Sequence, residues 1–560
     1  MTIVDNKNLY NRLLELDVID KTKLKSAFEI AESQKKDLAE ILYNMDLVTD
    51  EQIGQVMSDM YSLPFIKLEE QEVSDDVLTI ISEIFSKKQS IIPFKKDKDG
   101  LFLAISNPSN QNSLDFVSKK TGLPLKLYFA TSRNIKNFWE DRESKLGVSF
   151  ENEIKKLIMA SEDNNSIDTP IISLANLILE YSEKNHASDI HIEPSENHST
   201  IRFRVDGLLQ DVAIIPLKVH SQLISRIKVI SKLRIDEQQS AQDGKFQFII
   251  GDDRIDLRVS ITPTINGEKA VLRLLSSVSR QFSLTTLGLD DSDLKKVVSA
   301  YQKPFGMILS TGPTGSGKTT TLYAVLKLIN KREVNIMTIE DPVEYEIDGI
   351  NQIQVNPATN LTFAEGLRSI VRQDPNIILV GEIRDQETAQ IASQAALTGH
   401  LVLSTIHTND AATAIPRLME MGIEPFIIAS SVNCIIAQRL VRQICQKCRT
   451  SKEISPKDVL NLEFDQKTIK EIFGTKKSIR VYFGKGCPVC HQTGYVGRIG
   501  IFEVMFIDQT IREAIISKQS SEMINKLAVK SGMEPILSDG IKKVLSGITT
   551  LEEILRVTKI

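Results

Sequence analysis

The strongest constraint on this chain is a glycine-rich loop that lies between an apolar run and a helical pattern. Residues 312–319, GPTGSGKT, fit the motif G-x-x-x-x-G-K-[ST], and the apolar run GMILS precedes them. Beyond the loop, apolar residues recur at helical spacing over TTTLYAVLKLI. A chance match in a glycine-rich turn would lack both flanking elements. We therefore predict a phosphate-binding loop in a parallel α/β domain.

The residue types of this loop match the chemistry of a nucleoside triphosphate. Glycines let backbone N–H groups wrap phosphate oxygens, and the helix N-terminus adds partial positive charge. The Lys318 ammonium can reach the outer phosphates, and the Thr319 hydroxyl can bind Mg²⁺. The predicted nucleotide-binding residues are Gly312, Pro313, Thr314, Gly315, Ser316, Gly317, Lys318, Thr319 and Thr320.

Three apolar runs downstream of the loop end in polar residues. NIMTIE ends at Glu340, NIILVGE ends at Glu382, and HLVLSTIH ends at His407. Ligands collect at the carboxyl ends of parallel strands, so these side chains are predicted to surround one nucleotide. We assign Glu382 to Mg²⁺ together with Thr319, and His407 to the γ-phosphate. Which of Glu340 and Glu382 is the general base stays open, and a lone glutamate after a strand can also be a solvated turn residue.

Composition excludes several classes of protein. Hydrophobic residues are 41% and charged residues 25% of the 560, which indicates a folded chain rather than a disordered or fibrous one. The formal net charge of −5 gives no chain-wide basic footprint for nucleic acid. No apolar run is long enough for a transmembrane helix, and the start MTIVDNKN has no signal-peptide pattern. We expect a cytoplasmic, multidomain chain.

Changes in pattern along the chain predict four regions. Residues 1–140 form an N-terminal domain, helical at first and then mixed, in which VLTIISEIF is helix-like. Residues 141–168 form a polar linker. Residues 169–285 combine an amphipathic helix with alternating strands, which is typical of an α+β domain. Residues 286–560 form the α/β domain.

Two Cys-x-x-Cys pairs interrupt the last domain. They comprise Cys445, Cys448, Cys487 and Cys490, and two such pairs can close a tetrahedral thiolate site around Zn²⁺. Four protein ligands leave no open position, so the metal would be structural, fastening the insertion at 445–490. A pair of disulfides or an iron–sulfur cluster are the alternatives.

Several motifs of the chain resemble those of a known protein family. GPTGSGKTTTLY, IEDPVEY, VGEIRD and GHLVLSTIHTND are similar to those of the PilB/GspE-type secretion ATPases, and the likeness spans roughly residues 165–560. The resemblance implies a RecA-like P-loop ATPase core that hydrolyses ATP, with Mg²⁺ and Zn²⁺, in a homo-hexameric ring. It also implies an inner-membrane platform protein of the PilC/GspF type as partner, and a location at the inner face of the cytoplasmic membrane.

The resemblance also assigns a role to the preceding domain, which it makes PAS-like. In the family, arginines of this domain reach the ATP held by the C-terminal domain, and Arg204 and Arg226 match such positions. A guanidinium fork suits phosphoryl charge, although a sheet-surface ion pair is the alternative. The chain departs from the family at 239–241, where Gln-Ser-Ala replaces Arg-x-Pro, and at Lys245.

Residues 1–140 are similar to a divergent first domain of the same family. Some members bind cyclic di-GMP through an Arg-Leu-Gly start and a later glycine. Here Asp37 replaces the arginine, Ala39 replaces the first glycine, and Asp46 replaces the later one. An acid repels phosphate and a Cβ blocks close backbone approach, so we predict no cyclic di-GMP binding. Docking on a membrane-anchored assembly protein is the expected use.

The expected function is thus a hexameric motor ATPase for type IV pilus assembly. A type II secretion motor is the near alternative, since both share every motif above. A nucleic-acid translocase on a RecA-like core is the alternative of a different class, but the net charge of −5 disfavours it. A nucleotide-binding scaffold without hydrolysis is disfavoured by the complete set of polar strand ends.

Overall fold

The computed structural model describes most of the chain: residues 6–16, 19–34, 37–45, 47–71, 73–98, 100–139, 153–159, 168–250, 253–275, 283–460, 464, 466–474 and 476–558. The chain divides into two compact units, Met1–Ser149 and Phe150–Ile560. Most of the predicted linker, 141–152 and 160–167, lies outside the described residues, and 153–159 are helical. Within the described ranges, no helix is both long and apolar enough to cross a membrane.

The first unit begins with four helices that pack around a shared apolar core. They are α1 (Asn6–Leu16), α2 (Lys21–Gln34), α3 (Leu38–Asn44) and α4 (Asp50–Tyr61). Asp20 accepts hydrogen bonds from the first turn of α2, and Thr49 forms a capping box with Gln52 at the start of α4. These caps satisfy the free N–H groups that any helix start exposes. The predicted helical start of the chain is therefore present.

The rest of this unit is a small mixed sheet with three short helices. The elements are α5 (Asp75–Leu78), α6 (Glu83–Gln89), β1 (Ile91–Asp97), β2 (Gly100–Ile105), α7 (Gln111–Thr121) and β3 (Leu125–Phe129). The strand order is β1-β2-β3, with β1 antiparallel and β3 parallel to β2. The helix-like pattern of VLTIISEIF corresponds to the end of α5 and the start of α6, and the helix is interrupted between them because Ser82 is extended (φ −61°, ψ 141°) and starts α6.

The second unit opens with an antiparallel sheet that is covered by two helices. The elements are α8 (Asp168–Lys184), β4 (Asp189–Pro194), β5 (Ser199–Val205), β6 (Leu208–Ile215), α9 (Leu217–Ile230), β7 (Gln242–Ile250), β8 (Asp253–Thr264) and β9 (Gly267–Leu275). The order is β6-β5-β4-β9-β8-β7, and every neighbouring pair is antiparallel. Strand alternation buries one face against α8 and α9 and places the charged side chains of β4, β5 and β9, which form ion pairs with one another, on the opposite face.

The remainder of the unit is built on a seven-stranded sheet with helices on both faces. Its strands are β10 (Gly306–Thr311), β11 (Ile336–Glu340), β12 (Asn351–Gln354), β13 (Ile377–Val380), β14 (Leu401–Ile406), β15 (Val432–Ile444) and β18 (Tyr495–Phe506). The covering helices are α10 (Asp291–Tyr301), α11 (Lys318–Ile329), α12 (Phe363–Val371), α13 (Gln386–Leu397), α14 (Ala414–Glu420), α15 (Pro425–Ser431), α18 (Gln509–Ile516), α19 (Ser521–Lys530), α20 (Ile536–Leu545) and α21 (Leu551–Thr558).

The strand order of this sheet is β12-β11-β13-β14-β10-β15-β18. All neighbouring strands run parallel except β18, which is antiparallel to β15. Strands buried on both faces read as continuous apolar runs, and β10, β13 and β14 are wholly buried. The parallel α/β class predicted for this region is confirmed, and its strand ends meet at one edge of the sheet.

A hairpin domain is inserted between β15 and β18. It contains β16 (Arg449–Ile454), α16 (Pro456–Leu460), α17 (Gln466–Phe473) and β17 (Ile479–Gly484), with β16 antiparallel to β17. Its apolar residues Val459, Phe473 and Val481 share a core with Ile541 of α20 and Ile554 of α21. The insertion is therefore fastened by hydrophobic packing as well as by its cysteines.

Candidate nucleotide and metal sites

The phosphate-binding loop lies at the carboxyl end of β10, near the middle of the sheet. Gly312 and Gly317 have φ values of +143° and +89°, which L side chains rarely adopt. A Cβ at Gly312 would come within 2.5 Å of the Gln438 carbonyl oxygen. Gly317 is the N-cap of α11 and has no side chain to cap the helix. The first N–H groups of α11 are therefore available to an anion. Among the residues that the structure describes, the buried Ser316 hydroxyl also has no hydrogen-bond partner. The loop thus fits a phosphate cradle.

Lys318 is buried and folds back onto this loop. Its Nζ donates to the carbonyl oxygens of Gly312 at 2.8 Å and Pro313 at 3.1 Å. Burial lowers the pKa of Lys318, the Glu382 charge opposes this, and the Arg439 charge adds to it. An anionic ligand in the loop would favour the charged ammonium, since opposite charge stabilises it.

Two residues of β15 hold the loops around this site in place, and sequence reasoning missed both. Gln438 Nε2 donates to the Ser316 carbonyl at 2.6 Å. Arg439 is 7% exposed and donates to the Asn409 carbonyl at 2.7 Å, beyond β14. The available signal was the polar pair Gln438-Arg439 inside the apolar run NCIIAQRLV. Since β15 lies beside β10, Gln438 supports the phosphate loop from the adjacent strand, and Arg439 holds the loop that follows β14.

Glu340, the last residue of β11, is 2% exposed. Its Oε1 accepts from Thr338 Oγ1 at 2.6 Å and from Gln352 Nε2 at 3.3 Å, and its Oε2 accepts from the Tyr323 hydroxyl. Burial raises the pKa of Glu340, while these hydrogen bonds oppose the rise. A carboxylate with a raised pKa is a stronger base than an exposed glutamate, which favours it as an acceptor of a proton.

Glu382 and His407 meet beyond the ends of β13 and β14. His407 Nε2 lies 3.3 Å from Glu382 Oε2, and Arg384 Nη2 lies 2.6 Å from Glu382 Oε1. The loop that carries His407 is fastened to β10, because the backbone N–H of Thr408 donates to Thr311 Oγ1 at 3.0 Å. The structure therefore places both predicted residues at the edge that carries the phosphate loop.

Thr319 and Glu382 offer the hard oxygen donors that Mg²⁺ prefers. Among the described residues no partner is recorded for the Thr319 hydroxyl, and Glu382 interacts electrostatically with Lys318 beside it. The donor set therefore fits a magnesium ion.

The second domain reaches this region through an arginine that sequence reasoning missed. Arg258 of β8 pairs with Glu344 at 3.4 Å and donates to the Val343 carbonyl, in the segment that follows β11. Arg204 instead pairs with Asp189 at 3.4 Å inside its own domain, as a sheet-surface ion pair would. Arg226 is half-buried, and within the described part of the chain its Nε has no hydrogen-bond partner. The only indication of Arg258 in the sequence was its position on the polar face of an alternating strand.

The four cysteines converge as their spacing predicts. All four Sγ atoms lie within 4.8 Å of one another, and the closest pairs are 3.8, 3.8 and 3.6 Å apart. Thiolates about 2.3 Å from Zn²⁺ in a tetrahedron have edges of about 3.8 Å, whereas a disulfide needs about 2 Å. The N–H groups of Cys487 and Gly494 donate to Cys490 Sγ at 3.2 Å, which suits a thiolate. The set fits structural zinc.

In the first unit, the residues that align with the cyclic di-GMP motif of some family members help to stabilise the fold. Asp37 caps α3 by accepting from the Ala39 N–H at 2.9 Å, and Ala39 is 7% exposed. Asp46 lies outside the described residues. The absence of cyclic di-GMP binding stays a prediction.

Comparisons with known proteins agree with this geometry. A family model described as type II/IV secretion system protein matches residues 164–556, and a MshEN domain model matches residues 61–147. The type IV pilus assembly ATPase PilB of Myxococcus xanthus is 36% identical over 556 residues, 97% of each chain. The chain belongs to the type II/IV secretion ATPase family. The predicted family and ATP hydrolase activity are therefore confirmed.

Two further proteins are similar over about 70% of this chain. Type II secretion system protein E of Dickeya dadantii is 49% identical over 392 residues, 70% of this chain and 76% of that one. The X-ray structure of the Yersinia pseudotuberculosis ATPase DotB has a TM-score of 0.52 at 20% identity, covering 69% of this chain and 94% of that chain. This likeness shows a shared fold, and the predicted RecA-like class is confirmed.

Proposed function

We propose that this secretion ATPase is the motor for type IV pilus assembly, driving pilin polymerisation through an inner-membrane platform protein. The ATPase activity in this proposal is supported by the position of the phosphate loop, Glu340, Glu382 and His407, which all lie at one edge of the sheet. The pilus assignment is supported by the relative of matching length, a pilus assembly ATPase that aligns over 97% of both chains. A type II secretion motor is the second candidate, because type II secretion system protein E of Dickeya dadantii has a higher identity, 49%, over a shorter stretch of 392 residues.

The roles of the side chains follow from their positions. The α11 N-terminus, the loop N–H groups and Lys318 hold the phosphates of ATP. Thr319 and Glu382 hold Mg²⁺, which supplies charge neutralisation at the outer phosphates when it is bound. Glu340 takes the proton of the attacking water, because its burial favours the protonated carboxyl group. His407 contacts the γ-phosphate.

Arginines of the second domain complete the proposed nucleotide site. Arg204 and Arg226 were the candidates from the sequence, and Arg258 joins them because it already contacts the segment after Glu340. Their guanidinium groups would stabilise phosphoryl charge when the two domains approach. Movement of this domain against the sheet is the expected mechanical output.

The assembly around the motor is inherited from the family. We propose a homo-hexamer in the cytoplasm, at the inner face of the membrane, with a platform protein of the PilC/GspF type as partner. The first unit would dock on a membrane-anchored assembly protein. Zinc at the four cysteines would fix the base of the insertion between β15 and β18.

A deletion strain of the source organism tests the proposal. The wild-type gene should restore surface pili, and the Glu340→Gln gene should not, at equal protein level. Glu346→Gln, an exposed acid in the segment after β11, is the matched control. Restored export of secreted enzymes without any effect on pili would replace the pilus assignment with type II secretion.

A further inference from the structure

The starting observation is that both oxygens of the buried Glu340 carboxylate are held by internal donors. Thr338 and Gln352 donate to Oε1, and the Tyr323 hydroxyl donates to Oε2. A carboxylate held in this way has one orientation, because rotation about its last bond would break all three hydrogen bonds. The orientation of Glu340 is thus set by its neighbours.

Tyr323 is the most constrained of these neighbours. It lies on α11, in the helix that starts at Lys318, and is 1% exposed. Its ring packs edge-on against Tyr345 with centroids 4.8 Å apart, and Lys327 Nζ lies 5.4 Å from the Tyr345 ring centre. Tyr345 belongs to the segment after β11. The phenol is therefore fixed between the phosphate-loop helix and this segment.

Gln352 links the same parts from the edge strand. Its amide Nε2 donates to the Tyr345 carbonyl at 3.2 Å as well as to Glu340, and its Oε1 accepts from the Ile347 N–H at 2.8 Å. The segment after β11 is thereby fastened on both sides of Tyr345. Gln352 and Tyr323 each contact both Glu340 and Tyr345. Motion of this segment would therefore shift the donors that hold the Glu340 carboxylate.

We propose that Tyr323, together with Thr338, is a positioning residue that aims the Glu340 carboxylate and ties its orientation to the phosphate-loop helix. This inference rests on the proposed role of Glu340 as general base. Tyr323 is 1% exposed, and its side chain contacts Glu340, Gln352 and Tyr345, so we expect it to act on the reaction through Glu340.

The proposal predicts a particular pH dependence. A general base acts in its deprotonated form, so activity falls at low pH as Glu340 becomes protonated. Burial raises the pKa of Glu340, the hydrogen bonds of Thr338, Tyr323 and Gln352 lower it, and the Glu344 charge raises it. Arg258 faces Glu344 from the second domain and partly neutralises it. Removing the Tyr323 hydroxyl should therefore raise the pKa of Glu340 further. The acid limb of the pH–rate profile should then move to higher pH.

The test is the pH profile of ATP hydrolysis by full-length Tyr323→Phe. We expect the acid limb of kcat to move up by about one pH unit, since a hydrogen bond to a charged group is removed. The plateau should fall by about tenfold, with KM for ATP within about twofold of wild type, because binding residues are untouched. Tyr301→Phe, which removes a phenol that packs against the same core, should leave the profile unchanged.

A second variant keeps the proposal testable if Tyr323→Phe does not fold. Thr338→Val is nearly isosteric and removes the donor to the other oxygen, so it should shift the acid limb in the same direction. An unshifted limb in both folded variants would overturn the proposal. If Glu340→Gln hydrolyses ATP at the wild-type rate, the base assignment itself fails. If Glu340→Gln is inactive and the two profiles stay unshifted, only the positioning role fails.

Discussion

Glu553→Gln tests a buried charge cluster that ties the last helix to the central sheet. Glu553 lies on α21 and is 2% exposed. It accepts from the Arg442 backbone N–H at 2.9 Å and from Arg442 Nη2 at 2.7 Å, and Arg556 donates to it at 2.9 and 2.7 Å. Burial alone would raise the pKa of Glu553, but the hydrogen bonds from Arg556 and Arg442 outweigh it and lower the pKa to about 2.

The magnitude follows from this pKa. The ordinary value is 4.5, and each pH unit of difference corresponds to about 1.36 kcal/mol, so the charged form contributes about 3 kcal/mol of stability. Because the folded-state pKa is lowered, this contribution is present above pH 4.5 and is lost as the pH falls toward 2. The glutamine variant keeps the shape but leaves Arg442 and Arg556 without their carboxylate.

Local hydrogen exchange is the suitable assay, because a multidomain chain has no single unfolding free energy. At pH 7 the amide protection of α21 in Glu553→Gln should fall by about a hundredfold, which is about 3 kcal/mol. Glu552→Gln alters an exposed acid one residue earlier and should change protection little. Equal protection in the two variants would refute the reasoning.

Other predictions address the ligands directly. Lys318→Ala should lose ATP binding in a fluorescent-nucleotide titration, because the phosphate charge loses its ammonium partner; wild-type affinity would remove Lys318 from the site. Glu382→Gln should bind ATP but need far more Mg²⁺ for half-maximal hydrolysis, and an unchanged Mg²⁺ requirement would contradict its metal role. Elemental analysis should find about one zinc per chain, lost in Cys487→Ser and kept in Cys434→Ala, which alters the buried thiol of β15. Zinc retained by the serine variant at the wild-type level would argue against the four-thiolate site.

The sequence predicted the features that depend on local pattern. The phosphate loop needs one continuous stretch, 306–329, so its strand, glycines and helix could be read directly. The strand ends at Glu340, Glu382 and His407 followed from parallel topology alone, since parallel strands bring their carboxyl ends to one edge. Cysteine spacing likewise predicted the convergence of the four thiols.

Features that depend on contacts between distant elements could not be predicted. Tyr323 meets Glu340 only because α11 packs across β10 and β14 and brings the phenol to the end of β11. Gln438 meets Ser316 only because β15 joins the sheet beside β10. Arg204 and Arg258 have the same strand pattern, but domain packing gives only Arg258 a partner in the ATPase domain. The insertion also shares a core with α20 and α21, which no spacing of cysteines indicates.

Single-turnover hydrolysis by Glu340→Gln, measured beside its ATP affinity, tests the central claim most directly. The account predicts ATP binding at wild-type affinity and cleavage slowed at least about a hundredfold, as expected for loss of a general base. Glu346→Gln should cleave ATP like the wild-type protein. Cleavage by Glu340→Gln at the wild-type rate would contradict the account.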